Sequence, residues 1–170
     1  MDILKFAEKA MSMDDSAWAK HSSPWSVYSR FTILPLLTLA LASRDWLGWY
    51  SLIPTLLVLT WVWLNPRLFP APESTNNWAS MGTFGERIYL NRSKEAIIPQ
   101  HHLSMCNLLM ILQILGLPVW IYGVYSLHIE SMLFGMLWLM ATKAWFVDRM
   151  VWIYQDTKDL NPVYQSWFKD

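Results

Sequence analysis

Residues 46–64, "WLGWYSLIPTLLVLTWVWL", run for nineteen positions without a charged side chain. No other feature restricts the fold as much. At ~1.5 Å rise per residue such a run nearly crosses a ~30 Å hydrocarbon core. Trp46, Trp49 and Tyr50 gather at one end and Trp61 and Trp63 near the other, as aromatic belts do at the two faces of a bilayer. Composition agrees: 54% of the chain is hydrophobic and 15% charged, against ~45–50% and ~25% in ordinary soluble domains. Twelve tryptophans are a large excess of a side chain that suits a boundary, apolar at one end and wet at the other. The composition points to a membrane protein.

Three further apolar segments accompany this one. Residues 24–44 form a span if the helix starts at Pro24, with Ser22 or Ser23 as cap. Arg30 then has to snorkel or find an acidic partner. The short "SRDW" connection ties this span to 46–64 as a helical hairpin. A second pair covers 103–127, with a kink expected at Gly116–Pro118, and 129–147, whose helix continues as "DRMVWIYQDTK" beyond the bilayer. Pro54 is expected to bend its span. No run of period-two alternation supports a β-barrel. The predicted fold is therefore all-α and polytopic: one membrane domain over 1–170, four transmembrane helices in two hairpins.

Lys and Arg set the orientation. Lys5, Lys9, Lys20, Arg30, Arg67, Arg87, Arg92, Lys94, Arg149, Lys158 and Lys169 fall on one side and only Arg44 on the other, which places both termini and the 65–102 loop in the cytoplasm. The first 20 residues are charged throughout and lack the apolar centre of a signal peptide. Their helical spacing of Ile3, Phe6, Ala7, Ala10 and Met13 predicts an amphipathic helix, lying on the membrane or on the domain itself. The formal net charge is zero, which argues against nucleic acid as a partner. Cys106 is the only cysteine, so neither an internal disulfide nor a CxxC site can form.

The central loop, 65–102, is too long for a simple connection and has the aromatic residues of a structured one. "NPRLFPAP" predicts an extended exit from the second span. "TFGE", Thr83 to Glu86, fits a capping box and predicts a short helix to about Arg92, with Ser80, Thr83, Arg87 and Asn91 on a polar face. Capping is thus one role for Glu86, and ligand binding the other.

The chain places its densest ionisable stretch, "GERIYLNRSKEAIIPQHH", at the mouth of the third span. There His102, Cys106, Leu109 and Gln113 share a helical face. On the fourth helix Trp138, Ala141, Trp145, Asp148 and Trp152 share another, with Arg149 alongside. Antiparallel neighbours would bring His102 to Asp148, while Asp156, further out, is expected to be solvated. His101, His102, Glu86 and Asp148 are candidate ligands for a divalent transition metal (Zn, Fe or Mn), and His102, Asp148 and Glu86 candidate acid–base groups. Arg87, Arg92, Arg149, Lys143 and Asn91 are candidates for holding an anion. The bland alternative is that these groups pair with one another and anchor helix ends. His101 and His102 cannot point the same way on a regular helix, so His102 is expected to face inward and His101 to orient it or meet the loop helix near Glu86. No GxSxG, Walker A, GxGxxG or spaced histidine box is present.

"HSSPWSVYSRF", "LNPRLFPAPESTNNWAS", "GERIYLNR", "IPQHH" and "KAWFVDRMVWIY" together resemble an uncharacterised family of small bacterial integral membrane proteins, catalogued as a domain of unknown function. The resemblance covers about His21 to Tyr154, with a longer Met-rich N-terminal stretch as the departure. It implies a multi-span inner-membrane protein and no particular reaction. The functional expectation is a polar pocket at the cytoplasmic bilayer surface that binds, and can act on, a small anionic or amphiphilic ligand. The alternatives are a small transporter or channel working as a homo-oligomer, with Lys143 and the His102–Cys106–Gln113 face along its path, and a non-catalytic assembly subunit.

Overall fold

The structure, a computed structural model, describes residues 14–92 and 98–170; most of the predicted amphipathic helix over 1–20 lies outside them. All regular elements among the described residues are helical. They are α1 (Asp15–His21), α2 (Pro24–Phe31), α3 (Ile33–Ala42), α4 (Arg44–Leu47), a 3-10 turn (Gly48–Ser51), α5 (Leu52–Leu68), α6 (Trp78–Leu90), α7 (Gln100–Ser126), α8 (Ile129–Thr157), a 3-10 turn (Lys158–Leu160) and α9 (Pro162–Gln165).

Two helical stretches, Pro24–Leu68 and Gln100–Ser126, are long and apolar enough to cross a membrane by length and composition. The first is not a single rod. It steps at Thr32 and again over Arg44–Ser51, and α5 returns along α3. Its direction is fixed by a long-range bond: Ser26 Oγ, near the start of α2, donates to Asn65 Oδ1, near the end of α5, at 3.0 Å. The second stretch, α7, packs along α8 in the opposite direction, since Trp138 Nε1 of α8 donates to the Leu112 carbonyl at 2.8 Å. Alpha-8 itself is not among the stretches apolar enough to count as a span.

Proline and capping chemistry explain where the helices begin and end. Pro54 lies in the first turn of α5, because the 3-10 turn ends at Ser51, and a first-turn N–H has no intrahelical acceptor to lose. The expected bend inside a longer span is replaced by this helix start. At the other end α5 continues through Pro66 to Leu68, so the extended exit begins at Phe69 (φ −84°, ψ 144°) rather than at Asn65. Alpha-6 starts at Trp78, not at Thr83: the Asn77 side chain accepts from the Ser80 N–H at 2.9 Å and takes the cap. The "TFGE" capping box is therefore interior helix. Alpha-7 begins at Gln100 behind Pro99 and runs through Pro118.

Close packing follows the glycines of α6. A Cβ on Gly85 would collide with the backbone carbonyl of Met150, and one on Gly82 would sit 2.8 Å from Val147 Cγ1. These two positions let α6 lie against the second half of α8. Phe84, Ile88 and Tyr89 of α6 then join Cys106 and Leu109 of α7 and Phe146, Met150, Ile153 and Tyr154 of α8 in the main buried cluster. The core is thus at one end of the long helices. Ser80 and Thr83, expected on a polar face, are buried too, and Ser80 Oγ donates to the Ser22 carbonyl at 2.8 Å.

The same end gathers the start of the described chain, the central loop and the C-terminal tail. The Thr75 N–H donates to the Lys169 carbonyl at 2.9 Å. Arg87 pairs with Asp15. At the opposite end Arg44 donates to the carbonyls of Val124, at 2.7 Å, and Tyr125. That arginine satisfies orphan carbonyls in the last turn of α7, before Leu127 ends the helix in a left-handed conformation (φ 57°, ψ 27°).

Candidate functional site

Two groupings of ionisable side chains lie at the core end. The first is built on the opening turn of α7. His102 is 1% exposed, wedged beside the α8 helix. Its Nε2 lies 2.8 Å from Asp156 Oδ2, and its Nδ1 lies 3.5 Å from Arg149 Nη1. A guanidinium can only donate, so Nδ1 is the acceptor and Nε2 carries the proton toward the carboxylate. His101 is exposed, with its ring centroid 4.1 Å from that of His102. The first turn of α7 thus presents one buried and one exposed imidazole, as expected from its position behind Pro99. The Nε of Arg149 is buried without a hydrogen-bond partner.

Asp148 is not in this group. Its Oδ1 accepts from Trp78 Nε1 at 3.0 Å, which ties α8 to the first turn of α6. Asp156, two helical turns further on, takes the place beside His102 that was expected of Asp148, and so is not a freely solvated carboxylate. The reason is register: His102 stands at the very start of α7, and its antiparallel neighbour on α8 is correspondingly late.

Glu86 also departs from the histidines. It lines a separate cavity of about 260 Å³ between α2–α3, α6 and α8. Arg30 and Lys143 line the same space, and Val27, Phe31, Ile33, Leu34 and Val147 give it apolar walls. Arg30 does not snorkel away. It donates to the Ser26 carbonyl at 3.2 Å, contacts His21 Nε2 with Nη1, and shares the cavity with Glu86, an acidic neighbour of the kind its position demanded. Lys143 forms no ion pair among the described residues, and its ammonium lies 5.6 Å from the Phe146 ring centroid. Burial holds the His21 imidazole well below its usual pKa, with the charges of Arg30 and Lys143 adding to the effect.

The other predicted anion ligands have structural partners. Arg87 pairs with Asp15 and lies over the Trp167 ring at 4.8 Å. Arg92 donates to the Tyr89 carbonyl at 2.8 Å and covers the Tyr89 ring at 4.2 Å. Asn91 caps α6, its Nδ2 donating to the Arg87 carbonyl at 3.0 Å. The serines beside His21 are structural as well: Ser22 Oγ donates to the Ala19 carbonyl at 2.8 Å and Ser26 to Asn65.

A family model described only as a family of unknown function, DUF6653, matches residues 3–167. The chain belongs to DUF6653. The match takes in the N-terminal Met-rich stretch, so that segment is part of the family pattern and not a departure from it. No curated protein matches the chain, and no solved structure matches it. DUF6653 membership therefore brings no substrate or reaction with it, and the site has to be argued from its geometry.

The sequence pointed to His101, His102, Glu86, Lys143 and Arg149 at this end, but not to the division of labour between two groupings. Asp156 was missed as a partner for His102; it lies seven residues after Arg149 on one face of α8, and both side chains reach His102. Asn65 was missed too. Its exposure is 0%, and it joins Ser26 to Ser29 through 3.0 Å and 2.7 Å bonds.

Proposed function

We propose that this chain is a multi-pass inner-membrane protein whose cytoplasmic surface holds a pocket for a singly charged anionic amphiphile. The carrying observation is the cavity between α2–α3, α6 and α8: two cations and one carboxylate, Arg30, Lys143 and Glu86, set among apolar walls. With all three ionised the lining is net +1 (two cations less one carboxylate), which suits a carboxylate or phosphodiester head rather than a dianion. The walls suit the first carbons of an acyl chain, and the size, below the ~300–1,000 Å³ of most ligand pockets, suits a head and little more.

Several observations support the membrane setting. In the hydrophobic windows of the two span-length stretches only 11% and 22% of residues are buried, whereas the core helix of a soluble protein would be mostly covered. Leu56, Leu57, Ile114, Leu115 and Ile121 are all at least half exposed, and soluble monomers rarely leave such continuous apolar surface in water. The ends of the helices divide the charges: α1, the central loop and the tail carry most of the Lys and Arg, and the opposite end has Arg44. Four spans in two antiparallel hairpins, with α8 as the least apolar, fit this division. A transport path along His102, Cys106 and Gln113 finds less support, because Cys106 and Leu109 are 0% exposed and packed into the core.

The test is native mass spectrometry of the full chain in detergent, titrated with phosphatidylglycerol, a long-chain fatty acid, or zwitterionic phosphatidylcholine. Retention of the anionic ligands should exceed that of phosphatidylcholine and fall about tenfold in Lys143→Gln, a loss of about 1.4 kcal/mol, with no change in Lys158→Gln. Equal retention of all three amphiphiles, or indifference to Lys143, would sink the reading.

A further inference from the structure

We propose that His101, His102 and Asp156 form a binding site for a first-row transition metal of the zinc type, separate from the amphiphile cavity and independent of it. One nitrogen from each histidine and one oxygen from Asp156 already lie within 4.8 Å of one another. For ~2.0–2.2 Å bonds in tetrahedral geometry the ligand atoms must stand about 3.4 Å apart, so the set closes with movements of roughly an ångström.

Side-chain reach accounts for the convergence. Adjacent residues within a helix diverge by ~100°. In the first turn of α7 the two imidazoles nevertheless approach, with ring centroids 4.1 Å apart. Asp156 arrives from the last turn of α8. The three differ in freedom in a way that suits assembly around an ion. His102 is fixed, with only 2% of its side chain exposed, while His101 is exposed and the Asp156 side chain is 45% exposed. A rigid ligand and two adjustable ones leave a fourth position open toward the aqueous side, the pattern of zinc sites that bind a water or a substrate.

Arg149 defines which ions can enter. When Nε2 binds a metal, the imidazole proton moves to Nδ1, so the 3.5 Å contact from Arg149 Nη1 has to be given up. That contact is at the limit of a hydrogen bond and is cheaply lost. The positive charge remains nearby and disfavours any cation held weakly. Magnesium and calcium, which prefer several oxygen ligands, are therefore excluded, and ions that bind imidazole strongly are selected. In the metal-free protein His102 instead bridges Arg149 and Asp156.

The experiment uses the full chain, produced without a polyhistidine tag, stripped with chelator in detergent and titrated with Co(II) and then Zn(II). We expect one saturable site per chain, with visible Co(II) absorption that Zn(II) displaces and Mg(II) does not. His101→Ala changes an exposed ligand and should keep the wild-type melting temperature, Asp156→Ala leaves the buried His102 Nε2–H without its acceptor and should lower it, and both should lose more than about tenfold in affinity. Arg149→Gln removes the opposing charge and offers an acceptor to Nδ1–H, and should tighten binding several-fold. His102→Ala should abolish binding, but because His102 is buried the two exposed variants carry the test if it fails to fold. Absence of saturable Co(II) binding by wild type, or wild-type affinity in both His101→Ala and Asp156→Ala, overturns the proposal. Neither result bears on the retention of amphiphiles by the Lys143 cavity.

Discussion

Thr75 and Lys169 hold each other across the chain: the Thr75 N–H donates to the Lys169 carbonyl at 2.9 Å, and the Lys169 N–H donates to Thr75 Oγ1 at 2.7 Å. A loop before α6 and a tail after α9 can be joined this way only if both lie on one side of any membrane the chain crosses. Reporter fusions within 76–80 and after Asp170 should therefore report the same compartment, the cytoplasm by the charge division, and a fusion at Leu127 the opposite one. Opposite signals from the first two sites would be incompatible with a bilayer between the Thr75–Lys169 end and the Arg44–Val124 end.

Gly85 tests the packing of α6 on α8. In an unhindered helix Gly→Ala stabilises by ~0.5–1 kcal/mol. At Gly85 the new methyl meets the Met150 backbone carbonyl, which cannot rotate away. Gly85→Ala should thus destabilise the detergent-solubilised protein by about 1–3 kcal/mol or more, measured by chemical unfolding. Gly82→Ala should cost less, because its nearest obstacle is the Val147 side chain at 2.8 Å. If the two variants rank in the reverse order, the close approach of α6 to α8 is not as described.

These contacts show what kind of feature could be seen beforehand. The helical class, the long apolar stretches, the Pro24 start and the inward His102 follow from local chemistry: period, caps and composition. Asp156 could not be paired with His102 in advance, because the partner depends on the register of two long helices. An offset of two helical turns, about 11 Å, separates Asp148 from the Asp156 that takes its place, and local chemistry does not set that offset. Side-chain competition was equally hidden. Asp148 is held by Trp78, a residue whose abundance argued only for membrane interfaces. The capping box at Thr83 was chemically sound, yet Asn77 sits six residues earlier and opens a longer helix whose extra turn buries Ala79 and Ser80. Glu86, thereby freed from capping, faces the cavity that also holds Arg30.

His21 predicts the pH response. Its ring is 8% exposed, Nδ1 is buried without a partner, and Arg30 Nη1 contacts Nε2, so the folded protein holds the imidazole neutral. Burial is the main cause of its lowered pKa, and the charges of Arg30 and Lys143 come next. In the unfolded chain the same group titrates near the usual ~6.5. Below that pH the unfolded state binds a proton that the folded state refuses, and stability rises with pH wherever the unfolded state binds more protons. The His21 contribution is therefore intact above pH ~6.5 and declines steadily as the pH falls from there toward the lowered folded value. His21→Gln keeps a polar side chain of similar reach but cannot titrate. Melting temperatures of wild type and His21→Gln, followed from pH 8 to pH 5 in one detergent, should run parallel above ~6.5 and converge below it, with wild type losing more. The other three histidines are common to both proteins, so their effects cancel in the difference. A constant gap across the whole range would mean that His21 takes up protons alike in the folded and unfolded states, and that burial and the Arg30 contact do not hold the ring neutral.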